Sequence, residues 1–260
     1  MNRREFIGAG VATAAATLPI CENSDAKEDV MEYYELRKYS LWRGAMPRRM
    51  DDYLQRAFIP AAHRIGTGPV GVFTLSMGPD SPAYYVLLVH KSAESIISFN
   101  AKIVMDAQHN AVGADFLNAI ATDPAFARID SALMVAFSGM PALETPDTKK
   151  PRIFELRTYE SHNEKANRKK IEMFNMGEIA IFRRTGLKPV FFGQTIVGSK
   201  MPNLTYLLTF DDNAARDKNW GQFVADPEWK KLSTTPGYAD ADILTNISNV
   251  FLKPTAYSEI

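Results

Sequence analysis

Hydrophobic and polar positions alternate along two short segments that lie 120 residues apart. The sequence YELRKY at 34–39 recurs as FELRTY at 154–159. In both segments the aromatic residue and the leucine share one face, while glutamate, arginine and the final tyrosine share the other. This period of two predicts a half-buried β-strand at the start of each of two related units.

The positions that follow each strand predict the same order of elements in both units. Apolar residues at helical spacing predict a helix, and a glycine, Gly66 or Gly186, follows at its C-terminal cap. Two β-rich runs, a second helical region and a last strand complete the ferredoxin-like order β-α-β-β-α-β. The elements expected are a helix at 48–65, strands at 70–75 and 84–90, a helical region at 93–121 with Gly113 as a candidate break, and last strands at 132–137 and 247–252.

The internal repeat organises the whole sequence. The same offset of 120 also aligns an Arg-x-Gly motif and a Pro-Val pair. Farther along, DPAF at 123–126 resembles DPEW at 226–229, an offset of 103. From the difference between the two offsets we expect about 17 extra residues in the first unit, between His90 and Phe116.

These patterns divide the chain into a leader at 1–28, a first unit at 30–140, a linker at 141–151 and a second unit at 152–258. The linker is rich in proline and charged residues, as is typical of a domain boundary. Helices cover one face of each sheet, and the other face also needs cover. The sequence therefore predicts an α+β protein in which two tandem ferredoxin-like units pack sheet to sheet within one chain.

The leader has the layout of an export signal. Arg3 and Arg4, followed by Phe-Ile, precede a short alanine-rich apolar run, which resembles a bacterial twin-arginine signal. The run is shorter than the roughly 20 residues of a membrane-spanning helix, so we expect no membrane span. We expect a periplasmic protein without a lipid anchor at Cys21, because bulky Ile20 precedes that cysteine.

Composition narrows the range of functions. The 30 basic residues balance the 30 acidic ones, so the charge gives no indication of nucleic-acid binding. A single cysteine forms no internal disulfide, and the four histidines lack metal-ligand spacing. The sequence contains no phosphate-binding glycine loop, nucleophile elbow, zinc-protease motif or Cys-x-x-Cys motif. We therefore expect neither a metal nor a cofactor.

Three motifs together resemble the NIPSNAP family: Glu-Leu-Arg-x-Tyr at the start of each unit, a Pro-Val-aromatic strand, and a late Asp-Pro-Glu-Trp. In the second unit they lie at 155–159, 189–193 and 226–229, whereas the first unit has Ala125-Phe126 in place of Glu-Trp. The resemblance covers roughly residues 32–258. It implies the dimeric α/β-barrel superfamily, whose other members include cofactor-free monooxygenases, haem enzymes and stress-responsive binding proteins.

The candidate site follows from the two alternating strands. If their apolar faces lie under the helices, the remaining side chains face a cavity shared by the units. These side chains are Glu35, Arg37, Tyr39, Glu155, Arg157 and Tyr159. Such a cavity can bind a small polar molecule, with arginine pairing a carboxylate or enolate and tyrosine donating a hydrogen bond. Alternatively, the charged residues are structural ion pairs that fix the pairing of the units.

His63, late in the first helix, is a further candidate as a general base or haem ligand. The second unit has Arg183 at the aligned position, while His109 and His162 are expected at the surface. We expect an exported protein that binds a small molecule between its two units. The alternatives are a cofactor-free monooxygenase- or isomerase-like enzyme and an assembly module without a ligand, and a homodimer is also possible.

Overall fold

The computed structural model describes residues 31–76, 78 and 80–260. The expected export signal and Cys21 lie outside these residues. Among the residues described, no helix is both long enough and apolar enough to cross a bilayer.

The first unit has the predicted order of elements, with its helical regions divided into several helices. Its elements are β1 (Tyr33–Ser40), α1 (Met46–Tyr53), a π-helical segment (Leu54–Phe58), α2 (Ile59–Arg64), β2 (Val70–Leu75), β3 (Ala83–His90), α3 (Ala93–Ile103), α4 (Ala107–Val112), α5 (Ala114–Leu117) and β4 (Arg128–Ala136). Gly113 separates α4 from α5, as expected of the candidate break.

The second unit repeats this order, including a π-helical segment 120 positions after the first. Its elements are β5 (Ile153–Glu160), α6 (Glu164–Met173), the π-helical segment (Phe174–Glu178), α7 (Ile179–Arg184), β6 (Lys188–Val197), β7 (Asn203–Phe210), α8 (Asn213–Ala225), α9 (Pro227–Ser233), α10 (Asp240–Ile243) and β8 (Asn246–Pro254).

The strands form one closed antiparallel barrel in the order β1-β3-β2-β8-β5-β7-β6-β4. Within each unit the order is that of a ferredoxin-like sheet, β4-β1-β3-β2 and β8-β5-β7-β6. The two sheets join at their edges, where β2 pairs with β8 and β4 pairs with β6. The predicted α+β fold is confirmed, and the barrel closes within a single chain.

Two equivalent ion pairs show that the repeat keeps its offset of 120 farther than expected. Asp106 caps α4 and pairs with Arg64, while Asp226 caps α9 and pairs with Arg184. The alignment of Asp226 with Asp123 is therefore wrong, because Asp-Pro is a general helix-start signal that does not identify equivalent positions. In the register of the barrel, the last strands β4 and β8 align at an offset of 118, close to the offset of 120 at the first strands. The first unit therefore lacks the expected insertion of about 17 residues.

The first strand of each unit faces the opposite way to the prediction. Tyr34, Leu36, Phe154 and Leu156 point into the barrel, where they pack in one cluster with side chains from both units. The polar and aromatic candidates therefore lie on the outer face, between each sheet and its helices. The alternation of hydrophobic and polar residues could not show which face of each strand lies inside the barrel, because both faces are covered. The barrel interior is apolar over most of its length. This agrees with the alternative of an assembly module without a ligand.

Candidate functional site

Arg37 is held between the sheet and the helices of the first unit. Its guanidinium donates to both carboxylate oxygens of Glu35 at 2.7 and 2.8 Å. It also lies 5.6 and 5.3 Å from the ring centres of Phe58 and Phe99. Ser131 donates a further hydrogen bond to Glu35. These contacts match the structural ion pair considered from the sequence, and Tyr39 is buried in the same apolar layer.

Glu155 in the second unit accepts more hydrogen bonds than Glu35. Arg157, Arg216, Trp220 and Asn249 all donate to its carboxylate at 2.8 to 3.1 Å. Burial by itself would raise the pKa of Glu155, but the hydrogen bonds from Arg216 and Trp220 and the charge of Arg157 outweigh burial and hold the pKa at about 2. Glu155 is therefore ionised at neutral pH and fixes both arginines in place.

Arg157 links this carboxylate to two phenols. Its Nη2 donates to the Tyr159 hydroxyl at 3.3 Å, and that hydroxyl lies 2.8 Å from the hydroxyl of Tyr206. The guanidinium also stacks over the ring of Trp220, 4.7 Å from its centre. Burial raises the pKa of Tyr159 and of Tyr206. Both hydroxyls therefore keep their protons at neutral pH and can donate hydrogen bonds.

Lys170 and Glu178 join this site, although no sequence motif indicated either of them. The two residues are 0% and 1% exposed. The Lys170 ammonium lies 3.2 Å from Glu178 Oε2, 3.2 Å from Asp240 Oδ1 and 5.5 Å from the ring centre of Tyr159. The Lys170 cluster is defined as Arg157, Tyr159, Lys170, Glu178 and Tyr206.

Burial and charge act in opposite directions on the two members of this ion pair. Burial raises the pKa of Glu178, and the charge of Lys170 offsets this only in part. Burial would lower the pKa of Lys170, but the carboxylates of Glu178 and Asp240 outweigh it and hold the pKa above its ordinary value. Glu178 is therefore a carboxyl group with a heightened affinity for protons beside a charged ammonium, a combination typical of functional sites.

The π-helical segment of the second unit brings the two charges together. Lys170 and Glu178 are eight residues apart in the sequence, which would place them about 80° apart around a regular α-helix. The i→i+5 hydrogen bonds of Phe174–Glu178 add a residue to one turn and rotate Glu178 back toward Lys170. In the first unit the equivalent positions are Met50 of α1 and Phe58, the last residue of the π-helical segment.

These equivalents serve as a control within the same chain. Met50 and Phe58 are buried in the apolar core beneath the first helix, so this fold requires no charge at either position. A buried ion pair is often no more stabilising than well-packed apolar residues of similar volume. Stability by itself therefore gives no reason for a charged pair at positions 170 and 178.

Two buried N–H donors in this layer of the second unit have no hydrogen-bond partner among the described residues. They are Arg157 Nε and Asn167 Nδ2. Glu178 Oε2 also makes no hydrogen bond of good geometry, but it is ion-paired with the Lys170 ammonium 3.2 Å away. Buried polar groups are normally paired, so such atoms commonly mark a site for water or a ligand. Both unpaired atoms are N–H donors, so their complement is an acceptor oxygen. A compound with a carbonyl or carboxylate group offers the complementary atoms.

The histidines differ from their predicted roles. His63 lies at the surface, 48% exposed, with its Nε2 2.9 Å from Glu259 Oε2, and does not join the other candidates. His109 was expected at the surface, but it is buried against Tyr53, whose hydroxyl lies 3.0 Å from its Nε2. His162 is exposed, as expected. In the part of the chain that the structure describes, no three His, Cys, Asp or Glu side chains are grouped to hold a metal ion.

One signal in the sequence could have identified the missed residues. At the offset of 120, Lys170 and Glu178 align with Met50 and Phe58, which occupy core positions of the first helix. Charged residues at core positions of a helix are rare unless they are paired. Comparing the two copies position by position therefore points to residues 170 and 178.

The comparison with known families concerns the second unit. The family model described as NIPSNAP matches residues 154–259, which run from β5 to the end of β8 and beyond. The match covers 106 of the chain's 260 residues and includes the whole Lys170 cluster. No protein with a curated description matches the sequence.

Solved structures resemble the whole barrel at low sequence identity. A candidate monooxygenase from Fusobacterium nucleatum subsp. nucleatum is 8% identical, with a TM-score of 0.57 over 86% of this chain and 93% of that chain. Another from Lactobacillus acidophilus is 9% identical, with a TM-score of 0.57 over 86% and 94%. These two likenesses show a shared fold. A NIPSNAP-like domain protein from Burkholderia xenovorans is 23% identical over 41% of this chain and 88% of that chain, with a TM-score of 0.37.

Proposed function

We propose that the chain is a tandem NIPSNAP-family protein that binds a small carbonyl or carboxylate compound beneath the first helix of its second unit. The family part of this proposal is supported by the match over residues 154–259 and by the repetition of the same elements in the first unit. The ligand part is supported by the Lys170 cluster. The site lies between sheet and helices, rather than between the units as the sequence suggested.

The observation that carries the proposal is a buried charge pair, at positions where the other copy of the fold is apolar, with two unpaired N–H donors in the same layer. Lys170 supplies a positive charge, and the hydroxyls of Tyr159 and Tyr206 supply donors. Donors and charge fixed in a dry site stabilise an oxyanion far better than water does. The cluster is therefore suited to a ligand oxygen that is, or becomes, negatively charged.

Proton transfer at carbon is the second candidate function, and the raised pKa of Glu178 favours it. In this step the Glu178 carboxylate removes the proton next to a bound carbonyl. The C–H electron pair forms the C=C bond of the enolate, and the carbonyl π electrons move to its oxygen, which Lys170 and Tyr159 stabilise. Return of the proton from Glu178 to carbon or oxygen completes an isomerisation without any oxidant.

Phenylpyruvate is a suitable probe because it carries a carboxylate and an enolisable carbonyl group. Binding is measured by calorimetry, and enol–keto exchange by the absorbance of the enol. We expect the wild type to bind and to accelerate exchange, and the double variant Lys170→Met/Glu178→Phe, which installs the residues of the first unit, to lose both. Met50→Leu in the first unit is the matched control and should change neither.

Two results would overturn the proposal. In the first, a folded Lys170→Met/Glu178→Phe protein binds phenylpyruvate as tightly as the wild type. In the second, the wild type binds neither phenylpyruvate nor benzoate, a carboxylate that cannot enolise. Binding of both compounds without faster exchange would keep the binding function and exclude proton transfer.

We also propose that the protein is exported to the periplasm by a twin-arginine route. The sequence at Arg3-Arg4 and the apolar run after it support this. Replacing both arginines by lysine should shift the protein from the periplasmic to the cytoplasmic fraction in a bacterium that has this pathway. An unchanged distribution between the fractions would contradict the proposal.

A further inference from the structure

The barrel interior is built in three layers that follow from the strand register. The first layer surrounds Tyr34 and Phe154, which are fully buried together with Leu252 and Ile260. Leu143 of the linker also packs against this cluster. This end of the barrel is therefore filled with side chains.

The second layer is aliphatic and incompletely filled. In the register of β1 and β5, Leu36 lies opposite Ala132, and Leu156 lies opposite Val250. Leu36 and Val250 point into the barrel but remain partly exposed. Inward-facing apolar side chains that stay exposed indicate open space above them.

The third layer is a polar ring at the mouth, which we call the collar. The first unit contributes Lys38, Tyr85 and Asp130, and the second unit contributes Thr158, Thr205 and Ser248. The two halves occupy equivalent strand positions, yet one half carries charges and a phenol while the other carries three hydroxyls. A cavity of about 340 Å³ opens here, lined by the collar and by the aliphatic layer beneath it.

We propose that this mouth is a second binding site, separate from the Lys170 cluster, for a small uncharged amphiphile with a hydroxyl head. Its apolar part would lie on Leu36, Leu156 and Val250, and its hydroxyl would bond to the collar. The volume lies in the range of small-molecule pockets, which are mainly apolar with a few placed polar groups. Side chains from both units line the cavity, so the site exists only because the two sheets form one barrel.

The charges at the mouth favour an uncharged head over a carboxylate. The Lys38 ammonium is paired with Asp80 at 2.5 Å, and the Lys200 ammonium lies 3.6 Å from Glu160. Both lysines that line the cavity therefore already have carboxylate partners. Asp130 lies 3.6 Å from the exposed Arg128 guanidinium, so the mouth has no surplus positive charge to hold an anion. A hydroxyl can donate to Asp130 and accept from a threonine of the collar.

The test uses the full chain with 1-octanol as the probe and octanoate as its anionic counterpart, by calorimetry or ligand-detected NMR. We expect octanol to bind at least tenfold more tightly than octanoate. Leu156→Trp fills the aliphatic layer and Ser248→Phe blocks the collar, so each should weaken octanol binding at least tenfold. Val224→Trp on the exposed surface of α8 is the control and should leave binding unchanged.

Two further outcomes separate this site from the proposed function. The Lys170→Met/Glu178→Phe protein should still bind octanol, because those residues lie on the other face of the sheet. Ser248→Phe changes only a partly exposed rim position, so it remains informative if Leu156→Trp fails to fold. The proposal is overturned if folded Ser248→Phe binds octanol like the wild type, or if octanoate binds more tightly than octanol.

Discussion

Lys170 and Glu178 differ from most buried residues of the described chain, because each carries a charge whose energetic cost depends on the other. Removing one partner leaves an uncompensated buried charge, whereas replacing both by apolar residues removes the cost altogether. Met50 and Phe58 show which apolar residues the fold accepts at these two positions. Comparing the stability of the single variants with that of the double variant therefore shows whether the ion pair stabilises the fold or is retained for a chemical role.

We predict that Lys170→Met by itself lowers the free energy of unfolding by about 3–5 kcal/mol, because Glu178 then lacks its counter-charge. Adding Glu178→Phe should restore stability to the wild-type value or above it. Guanidinium unfolding at neutral pH measures both variants. A double variant as unstable as the single one would mean that the ion pair itself stabilises the second unit.

Glu155 should make stability depend on acid pH. Its pKa is about 2 in the folded protein against an ordinary value of 4.5, so the folded state disfavours its protonation. The ionised Glu155 carboxylate therefore stabilises the fold fully above pH 4.5. This contribution to the free energy of unfolding, about 3 kcal/mol, is lost as the pH falls from 4.5 toward 2.

Urea unfolding between about pH 6 and pH 3 measures this loss. Glu155→Gln should be less stable than the wild type at pH 6 but should lose less stability toward pH 3. Glu94→Gln, at an exposed position of α3, is the control and should keep the wild-type slope. An unchanged slope in Glu155→Gln would show that other groups cause the acid sensitivity.

At the scale of elements, the two units are closer copies than their sequences suggest. Both first helices contain a π-helical segment at the same place. Both units use an aspartate cap, Asp106 or Asp226, that pairs with an arginine at the end of the first helical region. The π-helical segment leaves no recognisable motif, and an aspartate cap is too common a signal to identify equivalent positions in the two units.

We predict that Asp106→Ala and Asp226→Ala each lower the melting temperature by roughly 2–5 °C, since each removes a helix cap and an arginine partner. Asp123→Ala should have a smaller effect, because Asp123 pairs with Arg49 at 2.7 Å but caps no helix. Calorimetric melting of the three variants tests the structural alignment of the units. An equal loss for Asp123→Ala would contradict it.

The sequence predicted the element order, the strand positions and the pairing of two units, because period-two and helical patterns recur in both copies. It could not predict which face of β1 and β5 lies inward. In a barrel covered by helices both faces are buried, and Arg37 and Arg157 fit the helix side by stacking on aromatic rings. Glu155, Arg157 and Tyr159 are neighbours as expected, but they lie on the helix side of the sheet and not between the units.

At the scale of the molecule, the barrel gives the two units one common core. Phe73 of the first unit packs edge-on against Phe154 of the second, with ring centres 4.8 Å apart, and both belong to a cluster that spans the units. The edges β2–β8 and β4–β6 join the sheets as well. A unit that unfolded separately would expose both its unpaired strands and this core, which predicts that the units unfold together.

Phe73→Ala tests this coupling, because it creates a cavity in the first unit and should cost about 3–5 kcal/mol. In a Trp42→Phe background the remaining tryptophans, Trp220 and Trp229, lie in the second unit. Their fluorescence should therefore lose its signal at the same lowered denaturant concentration as the far-ultraviolet circular dichroism of the whole chain. If the tryptophan midpoint stayed at its original value while the dichroism became biphasic, the units would be separate folding domains joined only at their edges.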